Sequence, residues 1–242
     1  MRQPDSPDID IALPPGQQLI NGFPRFGEHL SKPAPPIPPD PSIEVRGALT
    51  QPLVMPLTTL ARLPRRELRA DFHCVAGWSA ADLQWEGVMF ADVYREIIEP
   101  VLAPGAEVTH VVFRGLDGFR SVLQLEDALA DDVIIAERLN GLALDGDHGA
   151  PARLVSPRQY GYMSTKHLCR IELHTQEPPV RRSIIQNFFF NRHPRARVWE
   201  EERHRFLPLW AIRPAYRAAI TPFIAVCARG NDQAVRDREK DS

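Results

Sequence analysis

Two stretches of the sequence gather side chains able to do chemistry. The first, Asp71-Phe72-His73-Cys74-Val75-Ala76-Gly77-Trp78-Ser79, sets a thiol at the end of an apolar run, beside His73 and just ahead of a glycine. A thiolate at such a turn can act as a nucleophile or as a metal ligand, since the ionised sulfur is the reactive form in both roles. Free cysteine is also a common buried hydrophobe, so residue type alone leaves the role of Cys74 open. The second stretch holds His148, Arg153, Ser164 and Lys166 within nineteen residues, separated by Gly149, Pro151, Pro157 and Gly161. Glycine lets backbone amides approach a ligand, arginine presents a planar fork and lysine a point charge. Together they suit a phosphate or a fused heterocycle. An anionic cofactor is the functional reading of this cassette; a solvated loop with ordinary surface charges is the alternative.

The elements that must position these residues are short and mixed. Ile43-Glu-Val-Arg-Gly47 reads as a strand, Thr58–Leu63 as a helical turn, and Ala70–Val75 as a strand that delivers Cys74 to a turn. A short helix around Phe90–Ile98 follows, then strands at Val108–Phe113 and Phe119–Leu125, a helical Leu125–Leu129 and a strand at Val133–Leu139. Asn140-Gly141 marks a turn. Strands at Arg153–Ser156 and His167–His174 frame the turn of the cassette. The expected fold class is α+β: a mixed, sheet-rich domain over 43–177 with short helices.

Two segments flank that domain. Residues 1–42 are expected to run as a proline-rich arm, because 13 of the 24 prolines lie between Pro4 and Pro56, crowded in Pro33–Pro41, and proline cannot sustain helix hydrogen bonds. Residues 178–242 form a basic extension with nine arginines against three glutamates between Arg181 and Arg217, and helical patterning over 195–210. The net charge of -2 gives no field for nucleic acid or an anionic membrane as the main partner. Trp210–Ala228 is apolar but broken by Arg213, Pro214, Arg217 and Pro222, which makes a poor membrane span. Three cysteines at wide spacing argue against a disulfide framework. With no apolar leader or twin-arginine pair at the start of the sequence, the expectation is a cytoplasmic protein.

Taken together, the two chemical stretches resemble the sulfite oxidase-like molybdopterin oxidoreductases. The resemblance rests on Cys74-Val75-Ala76-Gly77-Trp78-Ser79 and on His148-Gly149-Ala150-Pro151-Ala152-Arg153, Pro157, Gly161 and Lys166, and covers roughly 43–173. It implies a sulfite oxidase-type fold and a molybdenum cofactor with Cys74 as the single protein ligand of the metal. It also implies that His148, Arg153 and Lys166 contact the pyranopterin and its phosphate, with His73 and Ser164 assisting. A soft dithiolene-bound metal suits a thiolate. The cofactor would carry the oxygen-atom transfer while the protein supplies orientation and electrostatics. Sulfite oxidases proper follow the cysteine with Ala-Gly-Asn-Arg-Arg, whereas Ala76-Gly77-Trp78-Ser79-Ala80 has no arginine; the Trp-Ser form is nearer to the branch that reduces methionine sulfoxide. Expected substrates are therefore small oxo-anions, S-oxides or N-oxides. Arg69, His73, Arg114, Arg120 and Arg158 are candidates to orient them. No CxxCH haem site is present, so electrons are expected to pass through a separate protein.

Three other readings compete. Cys74 with His73 or His148 would make a thiol hydrolase. The arm and the basic extension would make a non-enzymatic binding module. His73, Cys74, His148 and Cys169 would make a zinc site, although without the paired spacing of structural zinc.

Overall fold

Alternation of apolar and polar residues lays down the strands. In Ser42–Gly47 the side chains of Ile43 and Val45 are fully buried while Glu44 and Arg46 face outward, as a half-buried strand requires. The computed structural model describes residues 12–25, 34–179 and 193–204, together with Pro214 and Ala218. Within these, eleven strands fall in two sheets. In chain order they are β1 (Gln18–Leu19), β2 (Ser42–Gly47), β3 (Leu53–Pro56), β4 (Arg65–His73), β5 (Trp78–Met89), β6 (His110–Gly115), β7 (Arg120–Gln124), β8 (Ile134–Leu139), β9 (Leu142–Ala143), β10 (Arg153–Val155) and β11 (Leu168–His174).

The first sheet runs β1-β5-β8-β10, with β4 also paired to β5 and β9 to β8. The second runs β3-β2-β11-β6-β7 and is mixed, because β11 pairs parallel with β2 and antiparallel with β6. Helices are brief: α1 (Phe90–Val93) opens a run of helical turns that continues to Val101, and α2 (Leu125–Ala128) caps β7. The fold is therefore the sheet-rich α+β class that the sequence predicts. A larger apolar core lies around the second sheet, centred on Ile43, Phe90, Phe113, Leu123 and Ile171. A smaller one collects Cys74, Trp78, Trp85, Ala150 and Val155, with Phe23 and Phe72 packed against it.

Three local outcomes differ from the sequence patterns. The longest strand, β5, is not among the strands expected from the sequence, although Leu83-Gln84-Trp85-Glu86 alternates buried and outward-facing side chains; pairing with β4 on one edge and β8 on the other completes it. Within the arm, Gln18 and Leu19 add a short parallel strand beside Trp78 and Ser79. Residues 195–204, expected to be helical, form turns and single bridges instead. Ala196 and Glu201 take positive φ, and Arg195 and Arg197 pair with Asp127 of the body rather than with neighbours on their own turn. Apart from Pro214 and Ala218, which are helical, the remainder of the expected helical extension, and Cys227, lie outside the described residues, as do residues 1–11 and 26–33 of the proline-rich arm. Among the described residues no helix is long and apolar enough to cross a membrane.

Candidate functional site

β4 ends at His73 and the chain turns at once. The Cys74 N–H donates to the Trp78 carbonyl at 2.8 Å and the Gly77 N–H donates to the Cys74 carbonyl at 2.9 Å. Gly77 sits at φ +105°, a conformation that residues with a Cβ rarely adopt, so glycine permits the tight return into β5. Cys74 is 4% exposed and packs with the apolar group around Trp78 and Trp85. A buried chain of polar groups braces the turn: Gln17 Nε2 donates to the Cys74 carbonyl at 3.2 Å, Ser79 Oγ donates to Gln17 Oε1 at 3.2 Å, and His73 Nδ1 lies 2.8 Å from Ser79 Oγ. Burial holds the His73 pKa below its ordinary value, with Asp71 opposing. The ring is thus neutral near pH 7 and serves as a hydrogen-bonding strut.

The cassette folds back on itself. Arg153, at the start of β10, is fully buried, and its guanidinium donates to the carbonyls of His148 (3.0 Å), Ser164 (3.3 Å) and Leu154 (3.4 Å). No carboxylate bonds it among the described residues, and burial pulls its pKa down to about 9. Lys166 Nζ donates to the Asp147 carbonyl at 2.6 Å. Burial, then the charges of Arg153 and Arg25, push the Lys166 pKa down to about 7 against weaker support from Asp147 and Asp117. Ser164 locks the loop by accepting the Ser156 N–H on its hydroxyl at 3.1 Å. His148 is held at both ring nitrogens, by Asp145 Oδ1 at 2.8 Å and by the Phe23 carbonyl at 2.9 Å.

Aromatic rings join the two halves. The Arg153 guanidinium lies 5.1 Å from the Trp85 ring, 5.5 Å from Phe72 and 5.9 Å from Phe23, within cation–π range. Phe23 stacks on His148 at 5.1 Å and meets Phe72 edge-on at 4.9 Å. Phe72, two residues before Cys74, presses on Gly161: a Cβ at that position would fall 2.2 Å from the Phe72 ring. Cys74 and the cassette therefore border one apolar cluster, with Phe72 and Phe23 spanning both.

The structure thus places His73 and Cys74 in one turn and His148, Arg153, Ser164 and Lys166 in one basket beside it. The other arginines considered for substrate are engaged elsewhere. Arg69 pairs with Asp82 on the surface, Arg114 with Glu172 across strands, and Arg158 with Asp131 and Asp132; Arg120 donates to the Pro179 carbonyl at 3.2 Å. Gln17, Phe23, Trp85 and Arg203 belong to the surroundings of the site and carry no local sequence motif, while Phe72 lies within the Cys74 stretch without a role assigned from sequence. The thiol-hydrolase reading loses His148 as a base, because Asp145 and the Phe23 carbonyl hold both of its ring nitrogens, while His73 Nδ1 is taken up by Ser79. Among the described residues no three His, Cys, Asp or Glu side chains group to hold a metal, which leaves the four-residue zinc set unassembled.

A fully buried Arg153 stacked against aromatic rings and bonded only to carbonyls, with the half-buried Lys166 close enough to repel it, is costly unless an anion lies beside them. Trp85 Nε1, also buried, has no hydrogen-bond partner among the described residues. This donor set fits the phosphate and ring system of an anionic heterocyclic cofactor, and the adjoining thiol fits a soft metal. Fold and site define a cofactor-dependent oxidoreductase domain. Comparison with known proteins names the family. The model of the oxidoreductase molybdopterin binding domain matches residues 32–181, and the chain belongs to that family.

It is an enzyme of the sulfite oxidase-like type, and its cofactor is molybdopterin. The uncharacterized oxidoreductase YuiH of Bacillus subtilis (strain 168) is 28% identical over 201 residues, covering 79% of this chain and 91% of the relative. The catalytic subunit MsrP of protein-methionine-sulfoxide reductase from Gluconobacter oxydans (strain 621H) is 28% identical over 184 residues, covering 66% of this chain and 56% of MsrP. The solved sulfane dehydrogenase SoxCD from Paracoccus pantotrophus shares the fold, with a TM-score of 0.52 at 24% identity over 66% of this chain and 44% of that one.

Proposed function

We propose that the chain reduces a neutral S-oxide, with the Cys74 thiolate as the protein ligand of molybdenum. One observation carries this reading: Arg153, bonded only to carbonyls among the described residues, lies over Phe72 of the apolar cluster that holds Cys74, so an anion seated against Arg153 would lie beside the thiol. When bound, the molybdenum-pterin group supplies the two-electron exchange of an oxygen atom. The chain's own residues do the rest. Arg153 and Lys166 would neutralise the anionic end of the cofactor, which would in turn favour the charged form of each side chain. Phe72, Trp85 and Phe23 exclude water. The neutral His73, through Ser79 and Gln17, fixes the carbonyl of the ligand residue.

The choice of an S-oxide rests on charge. No arginine follows Cys74, His73 is uncharged, and Arg69, Arg114 and Arg158 are held in ion pairs. The Arg203 guanidinium at the turn is spent on the carbonyls of Val75, Gly16 and Pro15, so a sulfite dianion would find little cationic help there, whereas a neutral sulfoxide needs little. Similarity to MsrP supports the same choice. The substrate accepts two electrons and two protons and leaves as thioether and water, the electrons coming from a separate redox protein.

Metal and pterin analysis of protein purified from a cofactor-competent host tests the reading. Molybdenum together with a fluorescent oxidised pterin is expected; absence of both in every preparation would sink it. Cys74→Ser is expected to retain pterin and lose turnover of methionine sulfoxide. Unchanged turnover would remove the ligand assignment.

A further inference from the structure

The Cys74 turn is gripped from two distant parts of the chain, and one side chain joins all three. Arg203, only 2% exposed, donates through Nη1 to the Val75 carbonyl at 2.6 Å, across 128 residues of sequence. Its Nη2 donates to the carbonyls of Gly16 at 3.1 Å and Pro15 at 3.4 Å. The same guanidinium lies 5.1 Å from the centroid of the buried Tyr160 ring, which belongs to the cassette loop. Gln17, next to Gly16, in turn holds the Cys74 carbonyl. The segment carrying Arg203 is itself pinned to the body: Ala196 accepts the Tyr160 N–H at 2.9 Å, the Val198 N–H reaches the Arg158 carbonyl at 3.0 Å, and Arg195 and Arg197 pair with Asp127.

We propose that Arg203 is a positioning residue for Cys74. By fixing the Val75 carbonyl on one side and the Gln17 strut on the other, it sets the direction in which the Cys74 Sγ leaves the turn. A planar fork is needed because three carbonyls from two segments are collected at once. Lysine, a single point charge on a flexible stem, reaches one or two of them. The influence on catalysis rests on the proposal that Cys74 is the metal ligand; the influence on the turn does not.

The test uses the full-length protein as purified, in wild-type, Arg203→Gln and Arg203→Lys forms. Amide hydrogen exchange is followed by peptide mass spectrometry over 73–79, over 12–25 and over β6. Losing a charge-assisted bond to a buried carbonyl is expected to raise exchange at 73–79 by about tenfold or more in Arg203→Gln, with Arg203→Lys intermediate and β6 unchanged. Faster exchange in 12–25 alone would overturn the proposal, since Arg203 would then serve only the arm. An equal rise in β6 would also overturn it, because the residue would then be a general stabiliser. In molybdenum-loaded protein the sulfur-to-metal absorption band is expected to move in Arg203→Gln at unchanged metal content and to return toward wild type in Arg203→Lys. A band identical in all three forms would refute the effect on Cys74. Failure of the ligand reading shows separately, as a wild-type protein that holds molybdenum but loses no band in Cys74→Ser.

Discussion

Replacing Lys166 by methionine should remove one component of the pH dependence of stability in the cofactor-free protein. The folded protein holds this ammonium at a pKa of about 7, against 10.5 for an ordinary lysine. Between those values the unfolded chain binds more protons than the folded one, so stability rises with pH. Linkage over pH 7 to 9 gives an increase of about 2 kcal/mol for a group moved this far, at ~1.4 kcal/mol per tenfold change. Below pH 7 both states carry the proton and the effect levels off. The cause is burial first, then repulsion from Arg153 and Arg25, so an aliphatic chain of similar length removes it. Urea unfolding followed by tryptophan fluorescence at pH 7 and 9 measures the difference. Subtracting the Lys166→Met slope from the wild-type slope cancels the titration of every other group. Equal slopes would show that the ammonium is solvated, and the argument for an anion in the basket would fall with it. Loaded with cofactor, the wild type should lose this slope, because an adjacent anion restores the lysine charge.

Further outcomes follow from the same contacts. Phe23→Ala should destabilise the protein by about 2 kcal/mol and hasten cofactor loss, because it strips a ring from Arg153, His148 and Phe72; thermal melts and pterin release over time measure both. Gly161→Ala should cost about 1–3 kcal/mol by driving a Cβ into Phe72 and should displace the neighbourhood of Cys74, read as lower pterin content per chain. His73 is held neutral by burial, so folding opposes its protonation and stability falls as pH drops below the ordinary histidine value. A His73→Gln variant should show a shallower acid limb in pH-dependent unfolding, and an unchanged limb would contradict the burial argument.

What the sequence alone determined is the class of site and of fold. Cys74 ahead of Gly77-Trp78, and the spacing of His148, Arg153 and Lys166, depend on local turn chemistry, which neighbouring residues specify. The alternation in β2, β6 and β11 likewise follows from which side chains avoid water. Tertiary structure decided which cations face the proposed cofactor site. Arg153 stands uncompensated because its segment folds beneath Phe72 and Trp85, while Arg114 finds Glu172 only because β6 and β11 lie side by side. It also decided that Gln17, Phe23 and Arg203 belong around the site, since hydrogen bonds spanning from 57 to 187 residues leave no periodic trace in sequence. The helix expected at 195–204 gave way for the same reason: ion pairs to Asp127 and the burial of Ala196 and Val198 outweigh a local preference of a few tenths of a kcal/mol per residue.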